Sequence, residues 1–166
     1  MKLVLEKAIN DLDYWFEKAN YEGFDPFDLR GLPFFLFIAR LPDKKIFNFI
    51  KGVLFTLIDC FPGQFRYIFN VGKKVNSKSM GLLLSSYCSL YEATKKSKYL
   101  EKAIEISKWL EKNKSLNSNG CAWGYPFDWQ SQIFIPKNTP SAIASVTVGH
   151  GFFYLYKLTK KYEYMK

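Results

Sequence analysis

Metal-binding side chains are scarce in this chain. Histidine occurs once, at His150, which excludes a multi-histidine metal centre. Cysteine occurs three times, at Cys60, Cys88 and Cys121, an odd number at unrelated spacings from which neither a zinc pattern nor a disulfide framework can be drawn. No metal and no cofactor is therefore expected. The N-terminus lacks the features of a secretory signal peptide, so the expected location is a reducing cytoplasm. Long apolar runs are also missing. The most apolar stretch, Phe34 to Phe61, is broken by Arg40, Pro42, Asp43, Lys44, Lys45 and Lys51, too many interruptions for a membrane span. There is no Ser-His-Asp set, no phosphate-cradling glycine loop and no dinucleotide fingerprint, and Gly149-His150-Gly151 lacks the strand and spacing that a fingerprint needs.

The chain does have aromatic residues and positive charge. Its 166 residues suffice for one domain with a real core, expected to span 1–166, and 19% of them are aromatic. The net charge of +9 invites a nucleic-acid reading. The lysines, however, are scattered as pairs at helix ends and exposed faces (Lys44-Lys45, Lys73-Lys74, Lys95-Lys96, Lys160-Lys161). That is the pattern of solvated helices, so nucleic acid is not an expected partner. An anionic membrane surface is kept as a less favoured one.

Hydrophobic periodicity predicts helices throughout. Leu5, Ala8, Ile9, Leu12, Trp15, Phe16 and Ala19 mark an amphipathic helix over 2–19, stopped by Gly23 and Pro26. Asp28 can cap a helix running from Leu29 through Leu32 and on to Arg40, with Pro33 in its first turns. A helix over 44–60 follows a break with a capping Asp43. A short one over 64–70 and a basic loop from Val71 to Lys78 come next. Ser79 can cap a helix whose Met80, Leu83, Leu84, Tyr87, Leu90 and Tyr91 face one way. A tight turn leads to its partner over 98–113, lined by Leu100, Ala103, Ile104, Ser107 and Leu110. Lys114 to Asn138 reads as a long loop of the kind that usually carries function. Thr139-Pro140 then opens a helix over 141–158 that would bury Ile143, Val146, Phe153 and Tyr154.

Two internal repeats stand out. Tyr21-Glu22-Gly23-Phe24-Asp25-Pro26-Phe27-Asp28 and Trp123-Gly124-Tyr125-Pro126-Phe127-Asp128-Trp129-Gln130 share Pro-Phe-Asp after a glycine and an aromatic, a hundred residues apart. Leu90 to Leu100 and Leu155 to Met165 match at six of eleven positions. A helical hairpin recurring every 65 residues or so predicts an all-α repeat fold. The parts amount to an arc of an (α/α) toroid, incomplete, with apolar cut faces. The arc starts with a hairpin's second helix and stops at Lys166, where another partner helix should begin.

The succession Gly23 to Pro33, Val75-Asn76-Ser77-Lys78, Ala122 to Ser131 and Ile135 to Ser141 resembles a family of prokaryotic proteins. Its members often accompany polysaccharide or capsule biosynthesis genes and are similar to six-hairpin glycosidase-like α/α toroids. Relatives are about twice as long, so the resemblance is to their N-terminal half. It implies a sugar-containing substrate more than a mechanism.

In a toroid of antiparallel hairpins, both Pro-Phe-Asp connectors should line one mouth. Trp123, Tyr125, Phe127 and Trp129 offer flat faces for a pyranose, and Asp25, Asp28, Asp128 and Gln130 offer polar groups for its hydroxyls. The same aromatics could instead plug the core. Asp28 and Asp128 have the chemistry of a glycosidase acid–base pair, and equally that of helix caps. Asp25 before proline suits a turn. His150, between two glycines, is either a core histidine or an acid–base facing the barrel interior. The expected function is carbohydrate binding or carbohydrate chemistry in surface-polysaccharide assembly, with an oligosaccharide as ligand. The alternatives are a non-enzymatic scaffold that pairs with a second polypeptide completing the toroid, and a basic protein of the membrane surface.

Overall fold

A computed structural model describes residues 2–116, 120–130 and 133–165, and over these the chain is mostly helical. Ser131 and Lys166, both named above, lie outside them. The chain folds as two compact units. The first comprises 1–23, 75–126 and 138–166; the second comprises 24–74 and 127–137.

The first unit is built from α1 (Lys2–Lys18), α5 (Ser77–Thr94), α6 (Ser97–Lys112), α7 (Ala142–Thr159) and a terminal 3-10 turn, Tyr162–Met165. Its core is an apolar cluster centred on α5, including Leu84 and Cys88, with Ile106 and Leu110 from α6 and Val148 and Leu155 from α7. Burial, and then the charge of Glu92, pushes the Cys88 thiol up to about 12, so it packs as a small neutral hydrophobe. Only Lys95 and Lys96 separate α5 from α6, which makes the pair a helical hairpin. Lys95 closes α5 in the left-handed conformation at φ 56°, and Lys160 closes α7 at φ 59°. At both corners a threonine hydroxyl donates back one turn, Thr94 to the Leu90 carbonyl and Thr159 to that of Leu155. Each threonine oxygen then accepts from the second backbone N–H after it, Lys96 or Lys161. The eleven-residue sequence repeat is thus one recurring helix-ending corner.

Helices α5 and α7 meet at glycines. A Cβ on Gly81 would lie 2.9 Å from the Val148 Cα, and one on Gly151 would lie 2.9 Å from Leu84 Cδ2. The close approaches pair 81 with 148 and 84 with 151 in ascending order, so these two helices run in the same direction. This seam overturns the expected buried face of α7 at three of its four residues, leaving Tyr154 partly buried against the core. Ala144, Val148, Gly151, Phe152 and Leu155 are buried, while Ile143, Val146 and Phe153 face solvent. Gly151, facing Gly81 and Leu84 of α5, lets the helices approach closely along the line of Ala144, Val148 and Leu155, and the side chains off that line, Ile143, Val146 and Phe153, are left outside. The caps also differ from expectation. Asn76, not Ser79, caps α5 by accepting from the Lys78 N–H, and Ser141, not Thr139, caps α7.

The second unit holds a 3-10 turn (Asp28–Gly31), α2 (Pro33–Ala39), α3 (Lys45–Cys60), α4 (Pro62–Ile68) and a two-stranded hairpin of β1 (Trp129–Gln130) with β2 (Phe134–Ile135). The hairpin lies within the segment read as a loop. Asp28 does not cap a single helix reaching Arg40, because Leu32 is extended and restarts the helix at Pro33. The buried cluster of this unit is small, with Leu29, Phe35 and Ile58 at its centre.

Candidate functional site

The candidate residues fall into both units. Asp25, Asp28, Phe127, Asp128, Trp129 and Gln130 belong to the second, and Trp123, Tyr125 and His150 to the first.

In the second unit the two Pro-Phe-Asp segments meet. Asp25 makes the turn expected before proline, its Oδ1 accepting from the Phe27 N–H at 3.0 Å. Asp28 is buried, and its carboxylate is clasped by Arg66, whose Nε lies 3.2 and 3.1 Å from the two oxygens. A second guanidinium nitrogen of Arg66 donates to Asp28 Oδ1 and to the Asp25 carbonyl, and its plane lies over the Phe24 ring. The arrangement is a bidentate clamp of the kind only arginine provides. Asp128 Oδ1 accepts from the Lys137 N–H at 2.8 Å across the β-hairpin. The Asp128 carbonyl leaves no room for a Cβ on Gly31. Phe27 packs on Trp129 at 4.7 Å, Trp129 stacks on Phe127 at 6.3 Å, and Gln130 accepts from Arg40 Nε at 2.9 Å. Beside them is a cleft of about 520 Å³, lined by Phe24, Pro26, Phe27, Arg30, Asp59 and Arg66. Its charges are matched, since Arg30 holds Asp59 at 2.6 Å as Arg66 holds Asp28. These partner arginines carry no motif, and sequence reasoning missed them.

In the first unit Trp123 is a core residue. Its indole N–H donates to the Leu110 carbonyl at 2.8 Å and its ring stacks on Phe152. Its backbone is tied to α7 through Ser145 and Ser141. The half-buried Tyr125 accepts at its carbonyl from the Asn138 N–H. His150 is not a core residue; it is exposed beside Tyr154, on the α7 face that the glycine seam turns outward.

A second cleft of about 520 Å³ opens in this unit where α6, α7 and the terminal 3-10 turn converge. Trp123, Phe152 and Tyr164 form its aromatic floor, with successive ring centroids 5.9 and 6.4 Å apart. Glu111, Glu163, Lys114 and Ser145 supply polar groups, and Phe153 borders it. Burial, then the charges of Glu163 and Glu111, raises the Tyr164 phenol above its ordinary value, so it stays a neutral hydroxyl. The arrangement combines flat apolar faces with convergent carboxylate, hydroxyl and amine groups, as ligand sites do. Of the expected site residues only Trp123 lines it. Glu111 was findable as the residue one turn beyond Ser107 on the inner face of α6, and Glu163 and Tyr164 lie within the eleven-residue repeat. Among the described residues, no group of three or more His, Cys, Asp and Glu could hold a metal ion. Comparison of the chain with protein-family models, with curated proteins and with solved structures finds no match.

Proposed function

We propose that the protein binds a saccharide in the aromatic-floored cleft of the first unit. We further propose that this unit is an arc of an (α/α) toroid of the six-hairpin glycosidase-like kind, serving surface-polysaccharide assembly. The toroid reading is supported by the α5–α6 hairpin, by the same corner recurring after α7, and by α5 and α7 running in parallel as first helices of successive hairpins. The tie to polysaccharide assembly rests on the sequence resemblance. The observation that carries the ligand class is the composition of the cleft: Trp123 stacked on Phe152, with Tyr164 tilted against it, and Glu111 and Glu163 at the same opening. A pyranose presents an apolar face that suits the half-buried Tyr164 ring or the exposed Phe153 ring over the buried Trp123–Phe152 pair, and equatorial hydroxyls that donate to carboxylates. The volume falls within the ~300–1,000 Å³ range of small-ligand sites.

In this reading the paired Asp28 and Asp128 brace the connectors, and Glu111 and Glu163 supply the carboxylates that face the ligand. Titration of the protein with a panel of neutral and acidic oligosaccharides, followed calorimetrically, tests it. Glu111→Gln is expected to weaken binding about 10-fold or more, the usual worth of a hydrogen bond to a charged group. A panel in which nothing binds, or a Glu111→Gln protein that binds as tightly as the parent, overturns the proposal.

A further inference from the structure

Helix α3 carries two apolar stripes. One, with Leu54, Phe55 and Ile58, is inside the second unit. The other consists of Ile46, Phe49, Ile50, Val53 and Leu57, at the i, i+3, i+4, i+7 and i+11 spacing of a helix face, and it is exposed throughout. Phe49 keeps 70% of its surface in contact with solvent. With Phe34 and Ile38 of α2, this outer stripe walls an open groove of about 370 Å³ whose lining residues are all apolar. The helix following it, α4, adds exposed Tyr67 and Ile68.

Charge decides what such a face fits. Lys44, Lys45, Lys73 and Lys74 are exposed in the same unit. From Phe34 to Lys74 the only acids are Asp43, which accepts from Asn48, and Asp59, which is held by Arg30. The placement of Lys44 and Lys45 is not one that stabilises the helix. They open α3 with no acid in its first turn and no side-chain cap, where the helix dipole disfavours positive charge. They suit an external anion, and Lys45 sits one turn before Phe49 on its side of the helix. No single described helix is long and apolar enough to span a membrane, and α3 and α4, which together have that length and composition, bend by 98° at Phe61.

We infer that the second unit docks on an anionic lipid bilayer. Helix α3 lies in the interfacial plane, lipid acyl chains enter the α2–α3 groove, and Lys44 and Lys45 meet headgroup phosphates. This inference is independent of the saccharide proposal, and its test contains no sugar. The full chain is sedimented with phosphatidylcholine vesicles, with and without about 25% phosphatidylserine. Binding is expected to need the anionic lipid and to weaken with salt. The doubly substituted Phe49→Asp/Val53→Asp protein is expected to lose at least ~10-fold in partitioning. Lys44→Glu/Lys45→Glu is expected to lose about 25-fold on the anionic vesicles only, at roughly fivefold per lysine. All four positions are exposed, and circular dichroism of the variants serves as the check that they remain folded. Absence of sedimentation, equal binding to both vesicle types, or full binding by Phe49→Asp/Val53→Asp overturns the inference. So does an oligomer that the apolar-stripe variant converts to monomer while the parent ignores vesicles, since that outcome gives the face to a protein partner.

Discussion

Asp13, on α1, illustrates how single residues hold the first unit together. It is a buried carboxylate that accepts from Tyr87 Oη at 2.6 Å and pairs with Lys102 at 2.7 Å, while Lys102 reaches Glu17 at 2.8 Å. One triad thus ties α1 to both α5 and α6. Burial alone would raise the Asp13 pKa, but hydrogen bonds from Lys102 and Tyr87 and the nearby positive charge outweigh it, and the carboxyl is held below its ordinary value. Its contribution to stability is therefore complete above the unfolded value of about 3.9 and is lost as pH falls through the lower folded value. Burial pulls Lys102 down, yet its bonds to Asp13 and Glu17 prevail and hold it raised. That contribution is complete below about pH 10.4 and is lost as pH rises through the folded value. Asp13→Asn is expected to cost about 2–3 kcal/mol at pH 7, somewhat under the ~3–5 of a fully enclosed pair because Glu17 is exposed. Urea denaturation across pH should show the parent weakening at both extremes and the variant with a flatter acid limb. An unchanged acid limb would remove the triad from the account. None of this was legible in the sequence, where Asp13 reads as one polar position on an amphipathic helix.

At the scale of elements, the helices themselves were legible and their faces were only partly so. Periodicity locates α1, α3, α5, α6 and α7 to within a few positions although the expected caps Asp43, Ser79 and Thr139 are not the ones used, because local preference and burial agree over those stretches. For α7 the pattern pointed to Ile143, Val146, Phe153 and Tyr154 as the buried side, since size usually correlates with burial, and of these Tyr154 alone is partly buried. The glycine seam reverses this, and a lone sequence cannot reveal which partner a helix approaches closely. The connectors were legible as a pair that comes together, with Phe27 on Trp129, but their acids engage arginines and backbone groups through contacts that no spacing encodes. The seam gives a paired prediction. Gly81→Ala places a methyl against the Val148 backbone, where nothing flexible can yield, and should cost about 1–3 kcal/mol or more. Gly149→Ala, in the same helix as Val148 but with open space around its Cβ, should instead gain about 0.5–1 kcal/mol from helix propensity. Equilibrium denaturation of the two variants reads the difference directly. Equal effects of the same sign would mean that α5 and α7 do not pack through this seam.

For the whole molecule, the two units differ in how much each has to bury. The first encloses a large cluster spread over three long helices, with Leu84, Leu110, Val148 and Leu155 wholly inside. The second centres on Leu29, Phe35 and Ile58 and leaves most of α3 and α4 exposed on an apolar side. Apolar area removed from water is the main favourable term in folding, so local stability should follow this inequality. Composition could not forecast it: a chain with 48% hydrophobic residues reads as one good core, whereas the arrangement places much of that surface where water or a ligand must cover it. Native-state hydrogen exchange measures the consequence. Amides of α5 from Leu84 to Cys88 and of α7 from Val148 to Phe152 are expected to exchange only through the largest openings. Those of α3 should exchange through smaller ones, with protection at least ~100-fold lower, a difference of about 2.7 kcal/mol. Anionic vesicles should raise protection in α3 and leave α5 and α7 as they were, because a bilayer would cover the outer stripe of α3 alone. Equal protection in α3 and α5 without lipid would show that the smaller cluster is as stable as the larger, and that exposed apolar surface does not govern where this protein opens.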